Sequence, residues 1–253
     1  MKLEGRVAIV TGGGYGIGKE YCLALAYEGA RVVAADINFE GAQEVAKEIE
    51  KQGREALALK TDVSDENSTK GMARRAFERF GRIDILVNNA ALFIALGLKP
   101  WEQITVEEWD STMAVNLKGL FLCSKAVVPY MKAQGGGKVI NISSALAYKG
   151  YVGFLHYVTS KAGVLGFTRG LARELASQNI NVNSIAVGGT LSEGVLKKNT
   201  ISAEVRQMLR QQRCIQEDMY PKDLVGTLVF LASDDSRFIS GETILVDGGI
   251  VFI

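Results

Sequence analysis

The chain alternates short apolar, β-branched runs with segments of helical periodicity, and this alternation limits its fold more than any other feature. The apolar runs lie at 7–10, 31–35, 55–60, 83–87, 138–142, 181–186 and 243–246. The longest helical patterns lie at about 107–133 and 157–177. Strands that alternate with helices form a parallel sheet through right-handed crossovers, with helices on both faces. The sequence therefore predicts an α/β fold, a doubly wound parallel sheet of about seven strands in a single domain spanning 1–253.

Composition narrows the classes of protein to which the chain can belong. Of its 253 residues 47% are hydrophobic, enough for one core without a disulfide or metal staple. Lys and Arg number 29 against 28 Asp and Glu, without a basic run, so we expect no nucleic-acid or membrane partner. Three scattered cysteines and the single His156 disfavour a metal site. Neither a secretory signal nor a membrane-spanning run is evident, so a cytoplasmic protein is expected.

A glycine-rich segment, Thr11-Gly-Gly-Gly-Tyr-Gly-Ile-Gly18, joins the first predicted strand to the first predicted helix. A buried strand that turns into a helix presents backbone N–H groups and the positive end of the helix dipole to a phosphate. Gly12, Gly16 and Gly18 permit the tight turn and the close approach of a pyrophosphate. Because the spacing differs from the usual dinucleotide fingerprint, an ordinary glycine turn is the alternative.

An acidic residue, Asp36, ends the second predicted strand about twenty residues after the glycines. An acid at this place can accept hydrogen bonds from an adenosine ribose, although it could also be a plain exposed carboxylate. A 2′-phosphate would face the carboxylate, and neither Tyr15 nor Ile37 supplies a compensating cation. The pattern therefore favours NAD over NADP.

Further polar residues follow predicted strands, at the edge where parallel sheets bind ligands. Asp62 and Asn88 follow the third and fourth strands, and Ser143-Ser144 follow the fifth. Residues of these types also cap helices and form turns, so both interpretations stay open. Asn116 interrupts the apolar face of the helix at 107–133, either as a satisfied structural amide or as part of a polar relay.

Tyr157 and Lys161 stand one helical turn apart on the same face of the predicted helix at 157–177. An ammonium group beside a phenol favours the phenolate and lowers the phenol pKa from about 10. Tyr157 could then exchange protons with a substrate. A packed ring beside a solvated lysine is the alternative.

The segment at about 190–216 is polar and has one helical stretch, at 203–212, without a strong apolar face. A weakly packed insertion near the ligand edge predicts a substrate lid, and a surface excursion is the alternative. Apolar and aromatic residues near the same edge are candidate walls of a substrate pocket: Leu92, Phe93, Tyr148, Val152, Phe154 and Leu191.

In chain order, TGGGYGIG, Asp36, Asn88-Asn-Ala, Asn116, Ser143-Ser144 and Tyr157-x-x-x-Lys161 resemble the short-chain dehydrogenase/reductase family. The resemblance runs from Leu3 to Gly249 and implies a Rossmann fold. The catalytic tetrad that it implies is Asn116, Ser144, Tyr157 and Lys161. Ser144 is preferred to Ser143 because the family places its serine about thirteen residues before the tyrosine.

The resemblance also implies a role for each member of the tetrad. Tyr157 would exchange the substrate proton, and Lys161 would lower the tyrosine pKa and hold the nicotinamide ribose. Ser144 would orient the substrate oxygen, and Asn116 would anchor a water that links Lys161 to solvent.

Cofactor contacts follow from the glycines, the strand ends and the resemblance together. The predicted NAD-binding residues are Gly12, Tyr15, Gly16, Ile17, Gly18, Asp36, Asp62, Val63, Asn88, Tyr157, Lys161, Gly188, Thr190 and Ser192. Two departures from the family pattern concern this set: Asn89-Ala90-Ala91 replaces Asn-Ala-Gly, and Val187-Gly188 replaces Pro-Gly. Thr190 and Ser192 are therefore alternative nicotinamide contacts.

The sequence thus predicts an NAD-dependent alcohol dehydrogenase for a mostly apolar secondary alcohol or its ketone, with a homo-oligomer, tetramer or dimer, implied by the family. A 3-oxoacyl-[acyl-carrier-protein] reductase is the alternative. Asp36 disfavours the NADPH that such an enzyme takes, and Arg173 lacks a second cation at Ala133-Gln134 to bind an acidic carrier. A non-catalytic nucleotide-binding scaffold is disfavoured by the intact tetrad.

Overall fold

The computed structural model describes residues 1–198 and 201–253, so positions 199 and 200 of the predicted lid lie outside the described residues. Within these ranges seven strands form one sheet: β1 (Val7–Thr11), β2 (Arg31–Asp36), β3 (Ala56–Lys60), β4 (Ile85–Asn88), β5 (Gly137–Ser144), β6 (Ile180–Val187) and β7 (Thr243–Val246). All neighbouring strands are parallel, in the order β3-β2-β1-β4-β5-β6-β7. The predicted doubly wound parallel sheet is confirmed. Strands β1 to β3 are added toward one edge of the sheet and β4 to β7 toward the other, so the order reverses between β1 and β4. Folds of this kind bind ligands at that point.

Helices connect the strands and cover both faces of the sheet. They are α1 (Gly16–Tyr27), α2 (Phe39–Lys51), α3 (Glu66–Phe80), α4 (Val106–Met113), α5 (Gly119–Ala133), α6 (Leu146–Lys149), α7 (Leu155–Glu174), α8 (Glu193–Lys197), α9 (Ala203–Gln212) and α10 (Val225–Ala232). The helix predicted at 107–133 is interrupted by a π-helical turn at Ala114–Lys118, which separates α4 from α5. The short helices α6 and α8 were not predicted, because one turn of helix leaves no periodic pattern in the sequence.

A hydrophobic core lies on each face of the sheet, because successive residues of a strand point to opposite sides. In β1, Ala8 and Val10 pack with residues of α1 and α10 on one face. Val7 and Ile9 pack with residues of α3 and α5 on the other. Strands buried on both faces are apolar throughout, which explains the continuous runs in the sequence.

No helix in 1–198 or 201–253 has both the length and the apolar character that crossing a membrane requires.

Candidate active site

A cleft of about 1440 Å³ lies along the carboxyl ends of β1 to β6. The glycine segment after β1 forms one part of its wall, and the ends of β2 and β3 continue that side. The residues after β5 and β6, together with α7 and the segment that contains α8 and α9, form the other side. Most of the residues predicted to bind a cofactor or substrate therefore meet in one cleft.

The glycines of the loop are required by its backbone. Gly12 and Gly16 have φ values of 63° and 55°, in the left-handed region that favours glycine. A Cβ on Gly12 would come within 2.9 Å of Ala90 Cα, and one on Gly18 would collide with the Gly12 carbonyl oxygen. The loop therefore packs closely against its neighbours and passes directly into α1, whose first-turn N–H groups are available to an anion.

The carboxylate of Asp36 lies at the end of β2 and is held by two backbone groups. Its Oδ2 accepts a hydrogen bond from Gly14 N–H at 2.9 Å, and its Oδ1 accepts one from Asn38 N–H at 2.9 Å. Asp62 follows β3 and accepts from the backbone and hydroxyl of Ser64, at 2.9 and 2.7 Å. This side of the cleft is consequently negative, and backbone N–H groups hold both carboxylates in place.

Asn88, predicted to bind the cofactor, does not line the cleft. Its side chain is 2% exposed and donates to Asn141 Oδ1 at 2.9 Å and to Ser124 Oγ at 3.3 Å. Asn89 lines the cleft instead, and its Nδ2 donates to the carbonyl oxygens of Thr11 and Gly12, at 3.0 and 3.2 Å. The Asn-Asn pair was the available signal, but it does not reveal which amide faces the loop.

Tyr157 and Lys161 lie side by side on α7 and are both buried, with 8% and 2% exposure. The Lys161 Nζ lies 5.8 Å from the centroid of the Tyr157 ring and donates to the Ile142 carbonyl of β5 at 2.8 Å. Both side chains line the cleft. The predicted pair is therefore assembled next to the strand ends, and the alternative of a solvated lysine does not hold.

The expected direction of the Tyr157 pKa was wrong. Burial raises the pKa of Tyr157 to about 12, and hydrogen bonding with Ser144 only partly opposes it. Burial also lowers the pKa of Lys161 to about 8. Desolvation penalises the charged form of each group, and at Tyr157 it outweighs the opposing effect of Ser144.

The two serines at the end of β5 have different partners. Ser143 Oγ donates to the Lys161 carbonyl at 2.8 Å, which connects β5 to α7. Ser144 Oγ accepts from Leu146 N–H at 3.2 Å and donates to the Val187 carbonyl at 3.4 Å, and the Ser144 hydroxyl acts to lower the pKa of Tyr157. Of the two serines, Ser144 is therefore the one whose hydroxyl can contact the same substrate oxygen as the Tyr157 hydroxyl.

Asn116 lies in the π-helical turn, is fully buried and does not line the cleft. Its Oδ1 accepts from Leu92 N–H at 2.7 Å, and its Nδ2 donates to the Leu92 carbonyl and to Ser160 Oγ, both at 3.1 Å. Both amide hydrogens are therefore used to join the loop after β4 to α7. A water anchored by Asn116 would therefore have to donate to an acceptor, either the second lone pair of Oδ1 or the backbone carbonyl.

Aromatic side chains surround the phenol of Tyr157. The ring centroids of Phe93 and Phe154 lie 5.0 and 6.1 Å from that of Tyr157. Four of the predicted pocket walls line the cleft: Leu92, Phe93, Val152 and Phe154. The predictions of Tyr148 and Leu191 were wrong, because neither lines the cleft and Tyr151 does so in the place of Tyr148.

The segment predicted as a lid contributes α8, α9 and several apolar side chains to the cleft. Gly188, Thr190 and Ser192 also line it; Thr190 Oγ1 donates to the Gly188 carbonyl at 3.0 Å, and Ser192 Oγ accepts from Val195 N–H at the start of α8 at 3.5 Å. Both residues therefore line the cleft, and the choice between Thr190 and Ser192 as the nicotinamide contact stays open.

The buried Arg213, 4% exposed, follows α9 and holds that end of the segment. Its guanidinium donates to the carbonyl oxygens of Gly189, Glu217 and Asp247, at 2.6, 2.7 and 3.2 Å. Its burial was not expected, because a lone arginine in a polar stretch gives no sign of it.

Comparison with known proteins gives a consistent result. A family model described as short chain dehydrogenase matches residues 6–202. A protein of Thermotoga maritima named 3-oxoacyl-[acyl-carrier-protein] reductase is 36% identical over 251 residues, covering 99% of this chain and 100% of that protein. An uncharacterized oxidoreductase of Mycobacterium tuberculosis is 45% identical over 246 residues, or 97% of each chain.

Solved structures show the same likeness. A 7α-hydroxysteroid dehydrogenase, solved with NADH and 7-oxo glycochenodeoxycholic acid, superposes with a TM-score of 0.92 at 33% identity, covering 98% of this chain and 95% of that one. A putative short-chain alcohol dehydrogenase from Sinorhizobium meliloti gives a TM-score of 0.91 at 36% identity, with coverages of 98% and 97%.

Proposed function

Because this chain belongs to the short-chain dehydrogenase family and is an oxidoreductase of that family, we propose that it transfers a hydride between NAD and a mostly apolar secondary alcohol or its ketone. The observation that carries this proposal is the buried pair Tyr157 and Lys161, with Ser144 beside it, in a cleft that continues to the glycine loop. A proton-exchanging phenol next to a dinucleotide site is the arrangement that carbonyl reduction needs.

The residues of the cleft fit a nicotinamide dinucleotide. Gly12 and Gly18 allow the loop to pack closely against its own backbone and that of Ala90, and the start of α1 offers N–H groups to a pyrophosphate. Asp36 would accept from the adenosine ribose, and Lys161 would donate to the nicotinamide ribose. The cofactor, when bound, supplies the carbon that gives or accepts the hydride.

The protein groups would move the proton and orient the substrate. With a pKa near 12, the Tyr157 phenol is protonated at neutral pH and can donate to a ketone oxygen. The Ser144 hydroxyl would hold the same oxygen, and the Lys161 ammonium would stabilise the phenolate that forms. Phe93 and Phe154 exclude water from the phenol, which strengthens these interactions.

Substrate assays test the reaction class directly. Aliphatic, cyclic and aryl secondary alcohols would be oxidised with NAD, with NADH absorbance as the measurement, and the matching ketones would be reduced. We expect turnover of apolar members. Activity confined to polyols or sugars would contradict the proposal.

A 3-oxoacyl-[acyl-carrier-protein] reductase is the second candidate, because the Thermotoga relative has that name. Arg173, the cation that would bind an acidic carrier, is exposed. Gln134, where a second cation would be useful, is neutral, and its side chain accepts from the Ile83 N–H at 3.1 Å and donates to the Ile83 carbonyl at 2.6 Å. A faster rate with NADPH on an acetoacetyl thioester than with NADH on any ketone of the panel would favour this candidate.

We predict that NADH is preferred to NADPH by at least about a hundredfold in kcat/KM, because a 2′-phosphate beside the Asp36 carboxylate costs several kcal/mol. The lysines that line the cleft, Lys149, Lys161 and Lys198, come from its opposite side. Asp36→Asn, which keeps the shape and removes the charge, should reduce this ratio about tenfold or more.

Glu40→Gln, at an exposed position on α2, is the matched control and should leave the cofactor ratio unchanged. Equal use of both cofactors by the unaltered protein would show that Asp36 does not select between them.

We also propose that copies of the chain associate through α4, α5 and α7. An apolar groove between these helices includes Met113, Leu117, Phe121 and Phe167, and Phe121 is 50% exposed. Phe121→Glu is expected to yield monomers in light scattering, whereas Tyr27→Glu, at an exposed site on α1, should not. A monomeric unaltered protein would contradict association.

A further inference from the structure

The charges that line the cleft are separated by sign along the sheet. The carboxylates, Asp36 and Asp62, follow β2 and β3 at one side. The lysines come from the other side: Lys161 from α7, Lys149 from the end of α6 after β5, and Lys198 from the end of α8 after β6. Among the described residues that line the cleft, this second side has no carboxylate.

Lys149 stands at the rim without an acidic partner. Its Nζ donates to a neutral acceptor, Gln212 Oε1 at the end of α9, at 3.4 Å. The neighbouring Lys197 instead pairs with Glu193 at 2.8 Å and does not line the cleft. The Lys149 ammonium can exchange this amide oxygen for an anionic group of a ligand. A hydrogen bond to an anion would be stronger than the one to Gln212, because both partners would then be charged.

The wall between this rim and Tyr157 is apolar. It includes Leu96, Leu98, Tyr151, Val152, Phe154 and Met208. A molecule that places its carbonyl at Tyr157 and extends to the rim would lay an apolar body along these side chains and end near Lys149.

We propose that the substrate carries an anionic group at the end remote from its reacting carbon, and that Lys149, assisted by Lys198, binds this group. The proposal rests on the proposed oxidoreductase function and specifies its substrate class. The side lined by Asp36 and Asp62 is the one proposed to hold the cofactor, so the separation of charge favours the Lys149 rim for a substrate anion. The anion could be the carboxylate of an oxo acid or a phosphate of a thioester carrier, which offer the same chemistry.

The experiment compares charged substrates with neutral counterparts at saturating NADH. Medium-chain (ω−1)-oxo acids are paired with their methyl esters, and acetoacetyl-CoA is paired with the acetoacetyl thioester of N-acetylcysteamine. Each pair is assayed with the unaltered protein, with Lys149→Met and with the control Lys197→Met. Both substitutions remove one exposed lysine charge, but only Lys149 lines the cleft.

The unaltered protein and the control should favour the charged member of one pair by about threefold to fivefold in kcat/KM at low salt, as expected for a partly exposed charge pair. Lys149→Met should bring this ratio close to one, and added salt should reduce it in the unaltered protein. A preference within the oxo acid pair identifies a carboxylate, and one within the thioester pair identifies a phosphate.

Equal kcat/KM values for charged and neutral members, or a preference that survives in Lys149→Met, would overturn the anion site. Continued reduction of the neutral ketones would then leave the proposed function intact. If no ketone is reduced, that function fails, and calorimetric binding of the oxo acids and esters in the presence of NADH decides the anion site. An affinity difference lost in Lys149→Met supports the site, and no difference overturns it.

Discussion

Replacing Tyr157 by phenylalanine is expected to lower kcat/KM for ketone reduction by about a hundredfold to ten-thousandfold, the range over which a positioned proton donor acts. The substitution removes the hydroxyl and keeps the ring that packs against Phe93 and Phe154. NAD affinity should therefore stay nearly unchanged in a fluorescence titration, and so should the thermal unfolding midpoint.

Tyr148→Phe is the matched control for this variant. The Tyr148 hydroxyl is buried without a hydrogen-bond partner among the described residues, and the side chain does not line the cleft. Its removal should leave kcat/KM unchanged. Rates in Tyr157→Phe that equal those of the control would remove Tyr157 from the mechanism.

Replacing Lys161 by methionine is expected to abolish turnover and to stabilise the fold at neutral pH. Burial lowers the pKa of this ammonium from 10.5 to about 8, so the folded protein bears the cost of an ammonium removed from water. At about 1.4 kcal/mol per pKa unit, and with the hydrogen bond to the Ile142 carbonyl lost, the gain in unfolding free energy should be roughly 1–3 kcal/mol. That corresponds to a rise of a few degrees in the unfolding midpoint.

The stabilisation expected in Lys161→Met should change with pH in a direction that can be measured. Below about pH 8 the folded protein holds the proton of Lys161 and bears the full cost. Between about pH 8 and 10.5 the folded state releases the proton while the unfolded state keeps it, so the cost disappears as the pH rises. The difference in unfolding free energy between variant and unaltered protein should therefore shrink from pH 7 to pH 10.

Denaturant unfolding at a series of pH values measures this difference. Lys47→Met, at an exposed position on α2, is the control and should show no such trend. A Lys161→Met protein that is less stable than the unaltered chain at pH 7 would show that the buried ammonium supports the fold.

The sheet and most of the cleft were predictable because they depend on local patterns. Strands buried on both faces must be apolar throughout, so the seven runs marked β1 to β7 directly. Parallel strands bring their carboxyl ends to one edge, so Asp36, Asp62 and Ser144 had to lie along the same edge of the sheet. The i, i+4 spacing likewise placed Tyr157 beside Lys161.

The remaining features depend on packing that sequence spacing does not specify. The choice between Asn88 and Asn89 is set by the pleat at the end of β4, and the π-helical turn at Asn116 by contacts with Leu92 and Ser160. The direction of the tyrosine pKa depends on how completely aromatic rings remove the phenol from water. The i, i+4 spacing of Tyr157 and Lys161 in the sequence does not contain that information.

The hydrogen bonds of Asp36 bear on how such a protein could change during evolution. The Asp36 carboxylate, which we propose faces the adenosine ribose, also accepts from the backbone N–H groups of Gly14 and Asn38, so it holds the glycine loop in place as well. A lineage that adopted a phosphorylated dinucleotide would need a replacement acceptor for these N–H groups in addition to a new cation. No single substitution supplies both, so the cofactor preference that we propose for this chain would resist drift.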